Sequence, residues 1–193
     1  MRVHDRSESQ PPPESSVRTR IGDVVVRKLT KEELSRACEI DVSESGDIVY
    51  KRIDADIHPE KESWTRPRWD ADDWRRNVDR WATRMRWNVV LGAFYEKRLV
   101  GLASLRYRLA EDTAQVVSLH VSRDYRRRGI AARLIRELIR LAQENGARKL
   151  YVSATPSESA LGFYMSQGFV PTKHVNKELF DLEPEDIHMI REL

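Results

Sequence analysis

Apolar residues recur along this chain in two rhythms, and the switches between them mark out its elements. A strand-like run opens at Asp23-Val24-Val25-Val26-Arg27-Lys28-Leu29. Thr30 followed by Glu33 reads as a capping box, and Leu34, Ala37 and Ile40 continue it as a helical stripe. Ile48-Val49-Tyr50 suggests a second short helix. Asp70 then stands as an N-cap ahead of Trp74, Val78, Trp81 and Met85, whose spacing makes one apolar helix face. Strands follow over 88–95, 99–107 and 114–121, the first two joined across Glu96-Lys97-Arg98 as a hairpin. A helix over 129–145 carries Ile130, Leu134, Ile135, Leu138, Leu141 and Ala142 on one side and stops at Asn145-Gly146. A strand over 149–154, a short helix over 159–167 ended by Gly168, and two strands near 169–180 and 187–193 complete the chain. Helices flanking a mixed sheet make a layered α/β or α+β fold.

Residues 1–20 break that pattern. They are polar, include Pro11-Pro12-Pro13, and have Val3 and Val17 as their only aliphatic residues, which predicts a disordered tail ahead of a domain spanning 21–193. All five tryptophans fall within 64–87. Trp74 and Trp81 belong to the apolar stripe and are expected in the core, whereas Trp64 and Trp69 precede the helix beside Pro67 and are freer to line a pocket. The charged fraction of 34% is balanced to a net charge of only +3. Its arginines cluster at 66–86 and 123–140, interleaved with apolar residues as on solvated helix faces, so nucleic acid is not an expected partner. The single cysteine, Cys38, leaves no internal disulfide to form and fits a reducing compartment. No apolar run approaches a membrane span and no signal-peptide core opens the chain, so the expectation is a soluble cytoplasmic protein without a membrane partner.

The most informative stretch joins the strand ending Leu119-His120-Val121 to the long helix through Arg126-Arg127-Arg128-Gly129-Ile130-Ala131-Ala132. A helix N-terminus offers unpaired N–H groups and the positive end of the macrodipole, which suits an anion. Gly129 allows the backbone a close approach to a bulky ligand, small Ala131 and Ala132 keep it open, and successive N–H groups in such a turn form a nest for phosphate oxygens. The loop lacks the Gly-Lys-Ser/Thr ending of a nucleoside-triphosphate loop and the three-glycine pattern of a dinucleotide turn.

The pattern Arg126-x-x-Gly129-x-Ala131 resembles the pyrophosphate-binding signature of the GNAT superfamily of N-acetyltransferases. Downstream, Ser159-Ala160-Leu161-Gly162-Phe163-Tyr164-Met165-Ser166-Gln167-Gly168-Phe169 is similar to a second segment of that family. The resemblance covers roughly residues 21–193 and implies an acyl-CoA N-acyltransferase fold, with a mixed, mostly antiparallel central sheet. It implies acetyl-CoA as co-substrate, no metal, and an acetyltransferase acting on a small-molecule or peptide amine, with a homodimer left open. By the same resemblance, main-chain groups around Leu119, His120 and Val121 would pair with the pantetheine arm. N–H groups from Arg126, Arg127, Arg128, Gly129, Ile130, Ala131 and Ala132 would hold the pyrophosphate, and Tyr164 would be the general acid for the leaving thiolate. Ser157 stands where the family often has an Asn that contacts the cofactor arm.

The general base is a gap. The two positions where family members place a Glu correspond here to Gln115 and Val152, which cannot serve. His120, Glu111 and Asp112 are nearby alternatives, and His120 reads more readily as a sheet histidine than as a base. On the acceptor side, Glu44, Asp47, Asp54 and Asp56 could attract a cationic amine and Trp64 or Trp69 could offer a cation–π face. The rival reading is a regulatory acyl-CoA-binding module without turnover, which release of free CoA with a mixed amine panel would exclude.

Overall fold

The computed structural model describes residues 23–53 and 56–193; the expected tail at 1–20 lies outside them. Seven strands form one sheet. β1 (Val24–Lys28), β4 (Val89–Tyr95), β5 (Arg98–Ala110), β6 (Thr113–Val121), β7 (Lys149–Ala154), β9 (Ile187–Glu192) and β8 (Val170–Pro171) lie side by side in that order. All neighbours are antiparallel except β6 and β7, which run parallel across the connecting helix α2 (Ile130–Glu144).

The sheet is buried on both faces, which is why β4 and β5 read as near-continuous apolar runs. On one face Leu91, Ala93, Val100 and Val116 meet Leu134, Ile135 and Leu138 of α2, together with Leu161 and Tyr164 of α3 (Glu158–Ser166). On the other, Val90, Phe94, Leu99 and Leu102 meet a 3₁₀ helix (Glu32–Glu39) and α1 (Ala71–Thr83). α1 begins where the sequence indicates. Asp70 accepts from the Asp73 N–H at 2.8 Å, and Asp73 returns the bond to the Asp70 N–H at 3.1 Å. At Thr30 only the returning half forms, with Glu33 accepting from the Thr30 N–H at 3.1 Å while it pairs with Arg27 at 2.6 Å.

Two elements differ from the sequence expectation. Ile48-Val49-Tyr50 is not helical but lies within β2 (Glu44–Ile53), which pairs with β3 (Asp56–Arg66) as a separate two-stranded ribbon. The short apolar run is too brief to fix a period, and pairing with β3 decides it. Pro59 is tolerated in β3 because each strand of a two-stranded ribbon is an edge. The strand expected at 169–180 shrinks to β8, and α4 (Lys177–Leu182) follows, capped by Asn176 accepting from the Leu179 N–H at 3.1 Å.

Two features of β6 open the interior of the sheet. Its ladder with β7 runs from Thr113↔Lys149 to Val116↔Val152 and ends, although both strands continue. At the same point its register with β5 passes from Leu105↔Val116 to Ser104↔Ser118, so Val117 is an extra residue on β6, a bulge that turns the strand. Beyond it the two parallel strands part. The ribbon is tied to the far side of the gap by the Tyr50 N–H donating to the Pro156 carbonyl at 2.8 Å and by a bridge between Val49 and Ser157.

Trp74 is 2% exposed and packs edge-on to Trp69 and Trp81 at 5.0 and 6.2 Å between ring centroids. Trp74→Ala should cost about 3–5 kcal/mol, as expected for a buried aromatic truncation, measured by urea unfolding of the full chain.

Candidate active site

A cavity of about 1110 Å³ occupies the gap between β6 and β7. Its walls come from the C-terminal half of β6, the start of α2, the end of β7, α3, α1 and the loop between α4 and β9. Open α/β sheets place ligands at the carboxyl ends of parallel strands where neighbouring connections diverge, and this is the only parallel pair among the described residues.

One end of the cavity is built for an anion. Arg127 and Gly129 take left-handed backbone angles, φ 61° and 77°, on either side of Arg128, and α2 starts immediately after. Such alternation turns successive N–H groups into one concavity. Arg126 crosses back over β6, its Nε donating to the Val121 carbonyl at 3.1 Å. Leu119, His120, Val121, Arg126, Arg127, Gly129, Ile130, Ala131, Ala132 and Ser157 all line the cavity. Arg128 does not; its guanidinium lies 5.5 Å over the Tyr125 ring. Ser157 is the N-cap of α3, its Oγ accepting from the Ala160 N–H at 3.3 Å, so this side chain has a structural task of its own.

The same cavity is lined by Tyr164, Glu183 and Asp186. Tyr164 is 7% exposed, and burial together with the negative charge of Asp186 raises its phenol above the ordinary value. Asp186 accepts from Ser153 Oγ at 3.3 Å, and its N–H donates to the Glu183 carbonyl at 3.1 Å. Burial, then the adjacent Glu183 carboxylate, pushes the Asp186 carboxyl up to about 7. Glu183 is itself raised by burial while the Arg80 guanidinium, paired with it, works in the opposite direction. The two carboxyls titrate as a unit that holds one proton more readily than separate acids would.

His120 lines the cavity as well, enclosed by Trp69, Trp74 and Trp81 at 5.5, 5.5 and 5.2 Å between ring centroids. Burial, with Arg66 and Arg126 adding positive charge nearby, holds its imidazole down to about 3. It is neutral at physiological pH.

A sequence model of the acetyltransferase (GNAT) family matches residues 51–169, which contain β6, the loop, α2, β7 and α3. The chain belongs to that family. A search of curated proteins finds no match. Among solved structures, a nourseothricin acetyltransferase superposes with a TM-score of 0.69 at 15% identity, over 88% of this chain and 98% of the other. A Bacillus anthracis protein described as a streptothricin acetyltransferase, solved with acetyl coenzyme A, gives 0.67 at 16% over the same 88% of this chain and 98% of its own. The PaiA N-acetyltransferase of Thermoplasma acidophilum, solved with coenzyme A, gives 0.57 at 14% over 88% and 99%. At these identities the likeness is one of fold, a mixed and mostly antiparallel sheet with flanking helices.

Within this GNAT acetyltransferase several sequence-level candidates fall away from the acceptor side for physical reasons. Glu44 reaches the cavity wall but pairs with Arg66 at 2.5 Å and with Arg126 at 3.6 Å, and it accepts from Ser159 Oγ at 2.6 Å, so its charge is already matched. Asp47 accepts from Ser63 Oγ in the ribbon, Asp56 is exposed at the ribbon's end, and Asp54 lies outside the described residues. Trp69 lines the cavity, whereas Trp64 packs over Gly46 and donates its Nε1–H to the Ile48 carbonyl at 3.2 Å. Trp81, expected only in the core, is 4% exposed and lines the cavity as well. Asp112 sits at the opposite end of β6, where it pairs with Lys149 at 3.4 Å, and Glu111 adjoins it. Cys38 does not reach the cavity. Glu183 and Asp186 were not legible in sequence; the only trace is the acidic run Glu183-Pro184-Glu185-Asp186 in a loop. Among the described residues, no group of three or more His, Cys, Asp or Glu could hold a metal ion, and no helix is long and apolar enough to cross a membrane.

The state of His120 yields a stability prediction. Its folded value of about 3 lies below the unfolded value near 6.5, so between those limits the unfolded chain binds a proton that the folded chain does not. That contribution to stability is intact above pH 6.5 and is lost as pH falls towards 3. His120→Gln should therefore flatten the fall of Tm between pH 6 and pH 4, measured by thermal unfolding of both proteins across that range.

Proposed function

We propose that this acetyltransferase moves the acetyl group of acetyl-CoA to a primary amine by direct attack, with Tyr164 as the general acid that protonates the departing thiolate. The observation that carries the reading is the single cavity joining an anion-binding loop to a buried tyrosine through a gap in the sheet. Acetyl-CoA supplies the acetyl group as a thioester, and the chain's own groups fit each part of it. The N–H nest at Arg127 and Gly129 suits the pyrophosphate. Leu119 and Val121 lie beyond the end of the β6–β7 ladder; the Val121 carbonyl is taken by Arg126 Nε, and the main chain of Leu119 is left for an arm that adds to the sheet like a strand. Acetyl coenzyme A and coenzyme A in two of the structural neighbours support the same donor.

The acceptor end combines two carboxyls with a tryptophan wall, which favours a cationic amine over an anionic or apolar acceptor. Nourseothricin and streptothricin, named for two structural neighbours, lead the candidates. The deciding experiment is a screen of amines with acetyl-CoA, scored by release of free CoA. Saturable acetyl-CoA binding with no release across the panel would instead support the non-catalytic module.

Two variants separate the parts of this proposal. Gly129→Val forces a β-branched residue to φ 77° and brings a side chain into the nest. It should abolish acetyl-CoA binding in isothermal titration while the protein remains folded. Tyr164→Phe keeps the ring, so acetyl-CoA affinity should hold while kcat falls about 10²-fold, the lower end of what general acid catalysis supplies. A kcat within about twofold of wild type would remove Tyr164 from the chemistry, since ring volume alone would then suffice.

A further inference from the structure

We infer that Asp186, with Glu183 beside it, is the general base of the transfer, taking the acceptor amine's proton in the same cavity where Tyr164 serves the sulfur. This rests on the acetyl-transfer reading and supplies the group that reading lacks.

An amine of ordinary basicity arrives mostly as ammonium and must lose a proton before it can attack. The cavity presents few groups able to take it. Glu44 is held between Arg66 and Arg126, which already pair with its carboxylate. His120 is already neutral, but burial, with Arg66 and Arg126 nearby, opposes any positive charge on it, which makes it a weak base. Glu158 is exposed at the N-terminal turn of α3. Asp186 differs on each count. It faces Ser153 of β7 and Tyr164 of α3, with Glu183 on its own loop and Arg80 of α1 behind Glu183. Burial, then the adjacent Glu183 carboxylate, holds Asp186 up to about 7, in the range for proton transfer near neutrality, and Arg80 opposes the rise that burial imposes on Glu183.

A second observation points to a reacting ligand at this spot. Tyr164 is more than nine-tenths buried, lines the cavity, and its hydroxyl has no hydrogen-bond partner among the described residues. The buried side-chain atoms without a partner among the described residues are those of Trp74, Gln115 and His188, so the Tyr164 hydroxyl is not sealed in the core and a ligand atom in the cavity can reach it. Asp186 lines the same cavity, accepting from Ser153 Oγ at 3.3 Å, and its charge bears on that phenol.

In the transfer step, the amine nitrogen forms a bond to the thioester carbonyl carbon and gives one N–H proton to the Asp186 carboxylate. The carbon–sulfur bond breaks with its electron pair on sulfur, and sulfur takes the Tyr164 proton. Tyr164 regains a proton from Asp186, and both groups return to their starting states with the acetamide and free thiol as products. An acceptor that arrives as ammonium first passes one proton through the Asp186 carboxylate to solvent, which leaves the carboxylate ionised for the transfer step. The order has a physical consequence. Burial and then the charge on Asp186 hold the Tyr164 phenol up, so protonating Asp186 removes the second of these and eases donation by Tyr164.

The test compares wild type, Asp186→Asn and Glu183→Gln with acetyl-CoA and three probe acceptors: nourseothricin, 1,5-diaminopentane and lysine methyl ester. Wild-type kcat/KM should rise with pH through an acid limb near 7, because the base must be ionised. Asp186→Asn should lose that limb and about 10²–10⁴-fold in kcat, with acetyl-CoA affinity unchanged in isothermal titration. Glu183→Gln removes the negative charge that raises Asp186, so its limb should move to lower pH. A purely structural role for either carboxyl would leave the position of the limb unmoved. Asp186→Asn turning over like wild type with the limb intact would overturn this inference while leaving the transferase reading standing. Wild type that binds acetyl-CoA yet releases no CoA with any probe would sink both. If Asp186→Asn fails to bind acetyl-CoA, the Glu183→Gln profile decides: a limb shifted to lower pH supports the assignment and a stationary one overturns it.

Discussion

The parting of β6 from β7 beyond Val116 and Val152 is the constraint on which the rest of the molecule depends. Two parallel strands that run on without pairing leave backbone donors and acceptors facing a gap, and such groups need partners. The bulge at Val117 sets where the gap opens, and β6 keeps its ladder with β5 past that point through Ser118, Leu119, His120 and Val121. The strand is thus rigid on one side and open on the other, which is the condition for a ligand to complete the sheet. Every other feature of the site is placed by that opening. α2 starts from the end of β6, α3 from the end of β7, and the β2–β3 ribbon braces the outside through Tyr50 and Val49.

The cavity wall carries charge in two clusters. Arg66 and Arg126 gather around Glu44 and lie near His120, which is kept neutral, and Glu183 and Asp186 form a second cluster with Arg80. The separation is not an accident of surface composition, because Glu44 and Arg80 each tie one cluster down. Glu44 draws two arginines together, and Arg80 pairs with Glu183. An anionic donor and a cationic acceptor would each meet the opposite charge, and a neutral His120 avoids repelling either.

Whether a feature could be read from sequence depends on where its signal originates. The face of Trp74, Trp81 and Met85 was legible because helical spacing and the Asp70 cap agree on one element. The loop was legible because Gly129 and two small alanines leave few structural alternatives to a close backbone approach. β3 was not, since Asp-Ile-His-Pro-Glu-Lys-Glu-Ser-Trp-Thr-Arg carries polar residues on both faces, and a ribbon that buries little leaves no hydrophobic alternation to find. Glu44 could be read from sequence only as a surface carboxylate or a possible acceptor contact, because the arginines that pair with it lie far away in the chain. Glu183 and Asp186 were silent for a related reason: their properties come from burial and mutual repulsion, which no local pattern encodes.

The tryptophans show how closely packing and specificity are joined in this protein. Trp74 is core only, Trp81 is core and cavity wall at once, and Trp69 is a partly exposed wall residue that packs on both. A change at Trp81 therefore acts on fold stability and on the shape of the acceptor end together, whereas a change at Trp69 spends much less buried contact for a comparable change in shape. Selection for a different acceptor would meet least resistance at Trp69, and it would meet most at Trp81, where the lost packing is of the size that consumes a large part of a domain's stability. His120 sits against all three rings, so widening the pocket from either position would admit water to the imidazole and relax the desolvation that keeps it neutral. The width of the cavity is limited by the same aromatic cluster that holds α1 to the sheet.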